Sequence, residues 1–130
     1  MIFSIAVYGA PHSSQASHSA LQFARAVLAE GHQLYRVFFY QDGIHNATSL
    51  AAVPQDEPDL VAGWQALGLE QGVDLVVCIA AALRRGILDE TEQSRYEKTA
   101  HNLASGFVLG GLGQLMDASV SSDRLITFGH

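Results

Sequence analysis

The sequence predicts a three-layer α/β/α domain built on a five-stranded parallel sheet. Three observations carry this. Short apolar runs alternate with helical stripes in the order β-α-β-α-β-α-β-α-β. The runs are apolar on successive residues rather than alternate ones, as strands covered on both faces are. Alternation of this kind gives parallel strands joined by right-handed crossovers, with helices on both faces of the sheet. No repeat, low-complexity tract or linker divides the chain, so residues 1–130 read as one domain.

The first strand is read at residues 2–8 and stops at Gly9-Ala10-Pro11. In 15–30, Ala16, Ala20, Phe23, Ala24, Val27 and Leu28 form one helical stripe. Ser13 or Ser14 is the expected cap, and Gly31 falls where a left-handed residue ends a helix. Residues 34–40 form the second strand, turned by Gln41-Asp42-Gly43, and 45–55 read as a polar connection. A helix is expected to begin near Asp56, Glu57 and Pro58, where acids and proline suit an N-terminus. Leu60, Val61, Trp64 and Leu67 give its buried stripe, and Gly72 ends it.

Residues 73–79 are the third and most apolar strand, followed by a short helix over Ala80 to Gly86. Asp89 and Glu92 resemble a capping box for a helix over 91–101. A short strand at 107–109, a stripe of Leu112, Leu115, Met116 and Val120, and a last strand at 125–128 complete the order.

Composition limits the chemistry. The chain has 130 residues, 48% of them apolar and 15% charged, with a net charge of −6. That balance weighs against disorder and against direct nucleic-acid binding, which needs clustered cations. One cysteine excludes an internal disulfide and any site with two thiolate ligands. No apolar run is long enough to span a membrane, and the N-terminus lacks the basic region of a secretory signal, so a cytoplasmic protein is expected. His12, His18, His32, His45, His101 and His130 show no metal-ligand spacing, and no metal or organic cofactor is expected. His12 and His45 stand out only because both lie on strand-end loops. The loop after the first strand lacks G-x-G-x-x-G and a P-loop ending, which weighs against a flavin or nucleotide module. No G-x-S-x-G elbow supports a serine hydrolase.

Cys78 is the sharpest feature. It ends the third strand where a helix begins, and helix starts favour a thiolate. Arg84 and Arg85 can add positive potential or draw an anionic partner. The competing reading is a small core hydrophobe between Val77 and Ile79. Asp89, Glu90 and Glu92 are explained by the helix start they precede.

The block Val77-Cys78-Ile79-Ala80-Ala81-Ala82-Leu83-Arg84-Arg85-Gly86-Ile87-Leu88-Asp89-Glu90 resembles the DsrE family, most closely its TusD branch of sulfur-relay subunits. Matching blocks run the length of the chain. They include Gln22-Phe23-Ala24, Gly31-His32, Val37-Phe38-Phe39-Tyr40 with Gly43, and Asp59-Leu60-Val61 before Trp64. Gly110-Gly111-Leu112-Gly113-Gln114-Leu115 and Asp123-Arg124 extend them to the last strand. The resemblance implies a DsrE-like five-stranded domain and places the family's persulfide-carrying cysteine on Cys78. It implies a hetero-hexamer with TusC-like and TusB-like paralogues, two copies of each. Sulfur would come from a TusA-like donor and pass to a TusE-like acceptor, ending in the 2-thio group of a tRNA wobble uridine. The alternatives are a DsrE subunit of a DsrEFH complex in sulfur oxidation and a non-catalytic structural subunit.

Overall fold

The structure, a computed structural model, describes residues 1–129; His130 lies outside the described residues. Five strands form one parallel sheet: β1 (Ile2–Val7), β2 (Gln33–Phe39), β3 (Asp74–Cys78), β4 (Phe107–Gly110) and β5 (Arg124–Phe128), in the order β4-β3-β2-β1-β5. The helices are α1 (Ala16–Ala29), α2 (Leu60–Gln71), α3 (Ile79–Arg84), α4 (Glu90–Arg95) and α5 (Leu112–Ser121). The predicted alternation and strand count hold.

The two faces of the sheet are covered unequally. On one, α1 and α2 lie side by side, and Phe39 of β2 meets Trp64 of α2 edge to face at 5.2 Å. Strand residues alternate between faces, so Arg36 and Phe38 point the other way. There Arg36 reaches α5, donating to Gln114 O at 2.7 Å and pairing with Asp117 at 3.0 Å, and also pairs with Asp74 of β3 at 2.7 Å. One helix thus crosses the second face, packing on β2, β1 and β5. The sheet register slips between Phe3 and Ser4, leaving one extra residue in β2. That bulge brings Tyr35 and Arg36 to the same carboxylate, with Tyr35 Oη donating to Asp117 at 2.6 Å.

Helix ends follow local chemistry where it is strong. Gly31 (φ 84°) takes the left-handed conformation predicted for it, and Gly72, predicted to end its helix, does so in the same conformation (φ 67°). Asp89 caps α4 by accepting from the Glu92 amide at 2.8 Å. The reciprocal half of the box is missing, because the Glu92 carboxylate pairs with Arg95.

Four expectations need correction. Neither serine caps α1: the cap position is Gln15, without a side-chain bond, and Ser14 Oγ accepts only from the Ala16 amide at 3.3 Å. The second helix starts later than expected, at Leu60, because Asp59 accepts from the Ala62 amide at 3.1 Å and fixes the start there. The polar connection contains structure, since Gln41–Ala47 is a 3-10 helix. And α4 stops at Arg95 rather than near His101. Glu97 adopts φ 55°, and the Lys98 and Glu97 amides turn back to Gln93 and Ser94 carbonyls, a left-handed termination made without glycine.

Candidate functional site

In parallel α/β sheets, sites form beyond the carboxyl ends of the strands. Three segments meet there: the exit of β1, the 3-10 helix after β2, and the β3–α3 junction. A buried polar network fixes the first two. Ser17 Oγ donates to Gly9 O at 2.8 Å. Asn46 Nδ2 donates to Ser17 Oγ and to Gly43 O, both at 2.9 Å, and Asn46 Oδ1 accepts from Trp64 Nε1 at 3.1 Å. Every one of these side chains is buried, so the bonds compensate desolvation that would otherwise be costly. Gly43 lies so close to the Val7 carbonyl that no side chain fits between them.

Cys78 ends β3 and precedes the first turn of α3, as the sequence indicates. Its surroundings come from strand register. Asp74 bonds Arg36 on the α5 face, so Val76 and Cys78 share that face by alternation. Cys78 pairs with Gly110 of β4. On its other side lies Tyr40, one step beyond the Val77–Phe39 pair, with its ring against Tyr8 and Phe38. A Cβ on Gly110 would run into the side-chain amide of Gln114, from the first turn of α5. The thiol thus sits between Tyr40 and Gly110, with Gln114 over the glycine. It is only 3% exposed.

Sequence reasoning treated Arg84 and Arg85 alike, and the structure separates them. Arg85 is held by Asp42 of the 3-10 helix at 2.9 Å and donates to Ala81 O at 3.1 Å. It ties α3 to the segment after β2. Arg84 is exposed and makes no ion pair among the described residues. It opens onto a cleft of about 610 Å³ with Leu83, Leu88, Tyr96 and Lys98. Both arginines lie six or seven residues along the chain from Cys78, roughly 9–11 Å at helical rise.

His12 does not join Cys78; it lines a separate cleft of about 260 Å³ with His18 and Glu57. His45 lies half-buried in the 3-10 helix. Sequence reasoning points to the strand-end segments that hold Tyr40, Asn46 and Gly110 but gives no role to these residues or to Gln114. Tyr40 and the Gly110 to Gln114 run stood inside matched blocks, and their strand-end positions were the available signal.

The fold and site together define a small parallel α/β domain holding a single cysteine at the carboxyl end of an inner strand. The chain belongs to the DsrE/DsrF-like family, whose model matches residues 1–128. It is 52% identical over 128 residues to Sulfurtransferase TusD of Enterobacter sp. (strain 638), covering 98% of this chain and all of that one. That relative supports a sulfurtransferase role for this chain. The crystal structure of the ychN protein from E. coli matches with a TM-score of 0.76 at 22% identity, covering 98% of this chain and 99% of the other. A Methanobacterium thermoautotrophicum protein of unknown function matches with a TM-score of 0.67 at 12% identity, covering 96% and 97%. At those identities the two structures speak for the fold alone. No helix among the described residues is long and apolar enough to cross a membrane.

Proposed function

We propose that the chain is a sulfur-relay sulfurtransferase that carries a persulfide on Cys78. The observation that carries this reading is the lone cysteine at the β3–α3 junction, in a chain related along its whole length to a TusD sulfurtransferase. The Cys78 thiolate attacks the terminal sulfur of a donor persulfide R–S–SH. The donor S–S bond breaks and R–S⁻ leaves, while a new S–S bond makes Cys78–S–SH. An acceptor thiolate then takes the terminal sulfur and releases the Cys78 thiolate. No electron leaves or enters the pair, so no redox cofactor is required. With a single cysteine, no second thiol in the chain can collapse the persulfide into an internal disulfide.

In this reading the donor is TusA-like and the acceptor TusE-like. The chain works in a cytoplasmic hetero-hexamer with TusC-like and TusB-like subunits, two copies of each, toward 2-thiolation of a tRNA wobble uridine. The charge of −6 suits protein partners rather than direct contact with RNA. Of Arg84 and Arg85, Arg84 is the one without an ion pair among the described residues and so able to draw an anionic partner, since Asp42 holds Arg85.

The near-complete burial of Cys78 favours a second reading, a structural subunit with an inert thiol. Intact-protein mass after exposure to a sulfane-sulfur donor separates the two. The relay reading expects one added sulfur on the wild type and none on Cys78→Ser. No gain on the wild type, or equal gain on both, overturns it.

A further inference from the structure

We infer that the Gln114 side chain is a movable cover over Cys78, seated in the notch that Gly110 leaves in β4. The inference deepens the relay reading and rests on it for its biological purpose. The observations are geometric. Gly110 is the ladder partner of Cys78, so the two Cα atoms lie one strand spacing apart, roughly 5 Å. Both residues present the same face of the sheet. The Gln114 carboxamide occupies the place of the missing Gly110 Cβ, with Val76 Cγ1 2.8 Å from that same point. Any other residue at 110 would push the carboxamide away. The thiol beside it is buried, although it ends its strand at the rim of the sheet.

The cover is also free to move. The Gln114 side chain makes no hydrogen bond among the described residues; its only bonds are through its backbone. It belongs to the first turn of α5, whose cap residue Gly111 supplies no side-chain bond. Arg36 keeps the Gln114 carbonyl in place, so the movement belongs to the unbonded side chain, which can change rotamer while the helix turn stays. Such a change would uncover the sulfur without disturbing β3 or β4. Gln114 is therefore a positioning residue, controlling access to the nucleophile.

The rate at which iodoacetamide alkylates Cys78 in the folded protein tests this. Gln114→Ala is expected to react roughly tenfold faster or more, at an unchanged melting temperature, since a buried thiol reacts only from the open state. Gln114→Met keeps the reach and bulk without the amide and is expected to return the rate to that of the wild type. Gly110→Ala, which evicts the carboxamide while keeping Gln114, is expected to react fast as well. A wild-type rate in Gln114→Ala overturns the inference, as does Gln114→Met reacting as fast as Gln114→Ala. Should Gly110→Ala fail to fold, the Gln114 pair still decides. Alkylation reports access and not sulfur loading. A thiol that answers to Gln114 but never takes up sulfur keeps the cover and loses the relay reading. A thiol that loads sulfur but ignores Gln114 does the reverse.

Discussion

The two faces of the sheet are made differently. On the α1–α2 face, Val37, Phe39, Leu75 and Val77 meet Leu21, Ala24, Trp64 and Leu67 in one buried cluster. Its few polar atoms are bonded to each other in the Asn46 network. On the other face a single helix spans the strands. It is held by the ionic group of Arg36, Asp74 and Asp117, and Val108, Leu112, Met116 and Val120 stay in the open. Cys78 faces the thin side, and the backbone that positions it is braced from the thick side. In the relay reading, this sets the Cys78 nucleophile on a rigid floor beneath a light cover, which combines fixed geometry with access. A cysteine inside the thick face would have the first without the second.

The contrast predicts a gradient of mutational cost. The largest effect belongs to Trp64, which is fully buried and donates to Asn46. Trp64→Ala is expected to lower unfolding free energy by about 3–5 kcal/mol, read from urea titration. Asn46→Ala comes next, at about 2–3 kcal/mol, because it leaves the buried Trp64 indole N–H without its partner and removes the amide's bonds to Ser17 and Gly43. If Asn46→Ala is instead neutral, the thick face is not braced by its polar network and the comparison fails at its strongest point.

What the sequence revealed follows the same division. Strands covered on both faces are legible because each is an apolar run, and Gly31, Gly72 and Asp89 marked helix ends by chemistry local to the chain. The 3-10 helix was hidden because Asn46 is held by Ser17 and Trp64, distant in sequence. The early end of α4 was hidden too. Residues 96–101 carry no breaker, and Asn102, whose amide and side chain bond Leu88, anchors the segment beyond. The position of Cys78 could be read directly. Its cover could not, since the pairing of Cys78 with Gly110 is a fact of register between strands. The apolar stripe of α5 was read correctly as a period. Periodicity does not say which neighbour, if any, receives it.

On the thin face the costs are smaller and depend on pH. Arg36 is largely buried, and burial alone would pull its pKa down. The hydrogen bond and charge of Asp74, with the bond to Asp117, outweigh that and raise it. Arg36→Met is expected to cost about 1–2 kcal/mol, less than either change on the thick face, because both carboxylate partners can return to water. The Tyr35 hydroxyl, then the Arg36 guanidinium and the Ser121 hydroxyl, hold the Asp117 carboxyl below the usual aspartate range. A lowered folded pKa stabilises above the unfolded value, and that stabilisation is lost as pH falls through the folded one. Urea midpoints measured below about pH 4 are thus expected to fall less steeply in Asp117→Asn than in the wild type. Equal slopes would detach Asp117 from the acid sensitivity of the fold.

The smallest effect is expected at the outer side of α5. Met116 and Val120 are 66% and 83% exposed, so a polar replacement forfeits little burial. Lysine also favours a helix interior slightly more than valine does. Val120→Lys and Met116→Lys should therefore leave the stability of the isolated chain within about 0.5 kcal/mol, by the same urea titration. The result is informative because the two side chains share a helical stripe with Leu115, which does pack against the core. If either lysine costs more than about 1 kcal/mol, the outer side of α5 is folded against part of this chain, and the thin face is thicker than it looks. If neither does, this stripe is apolar for a reason that the isolated fold does not supply, and the division between the two faces stands.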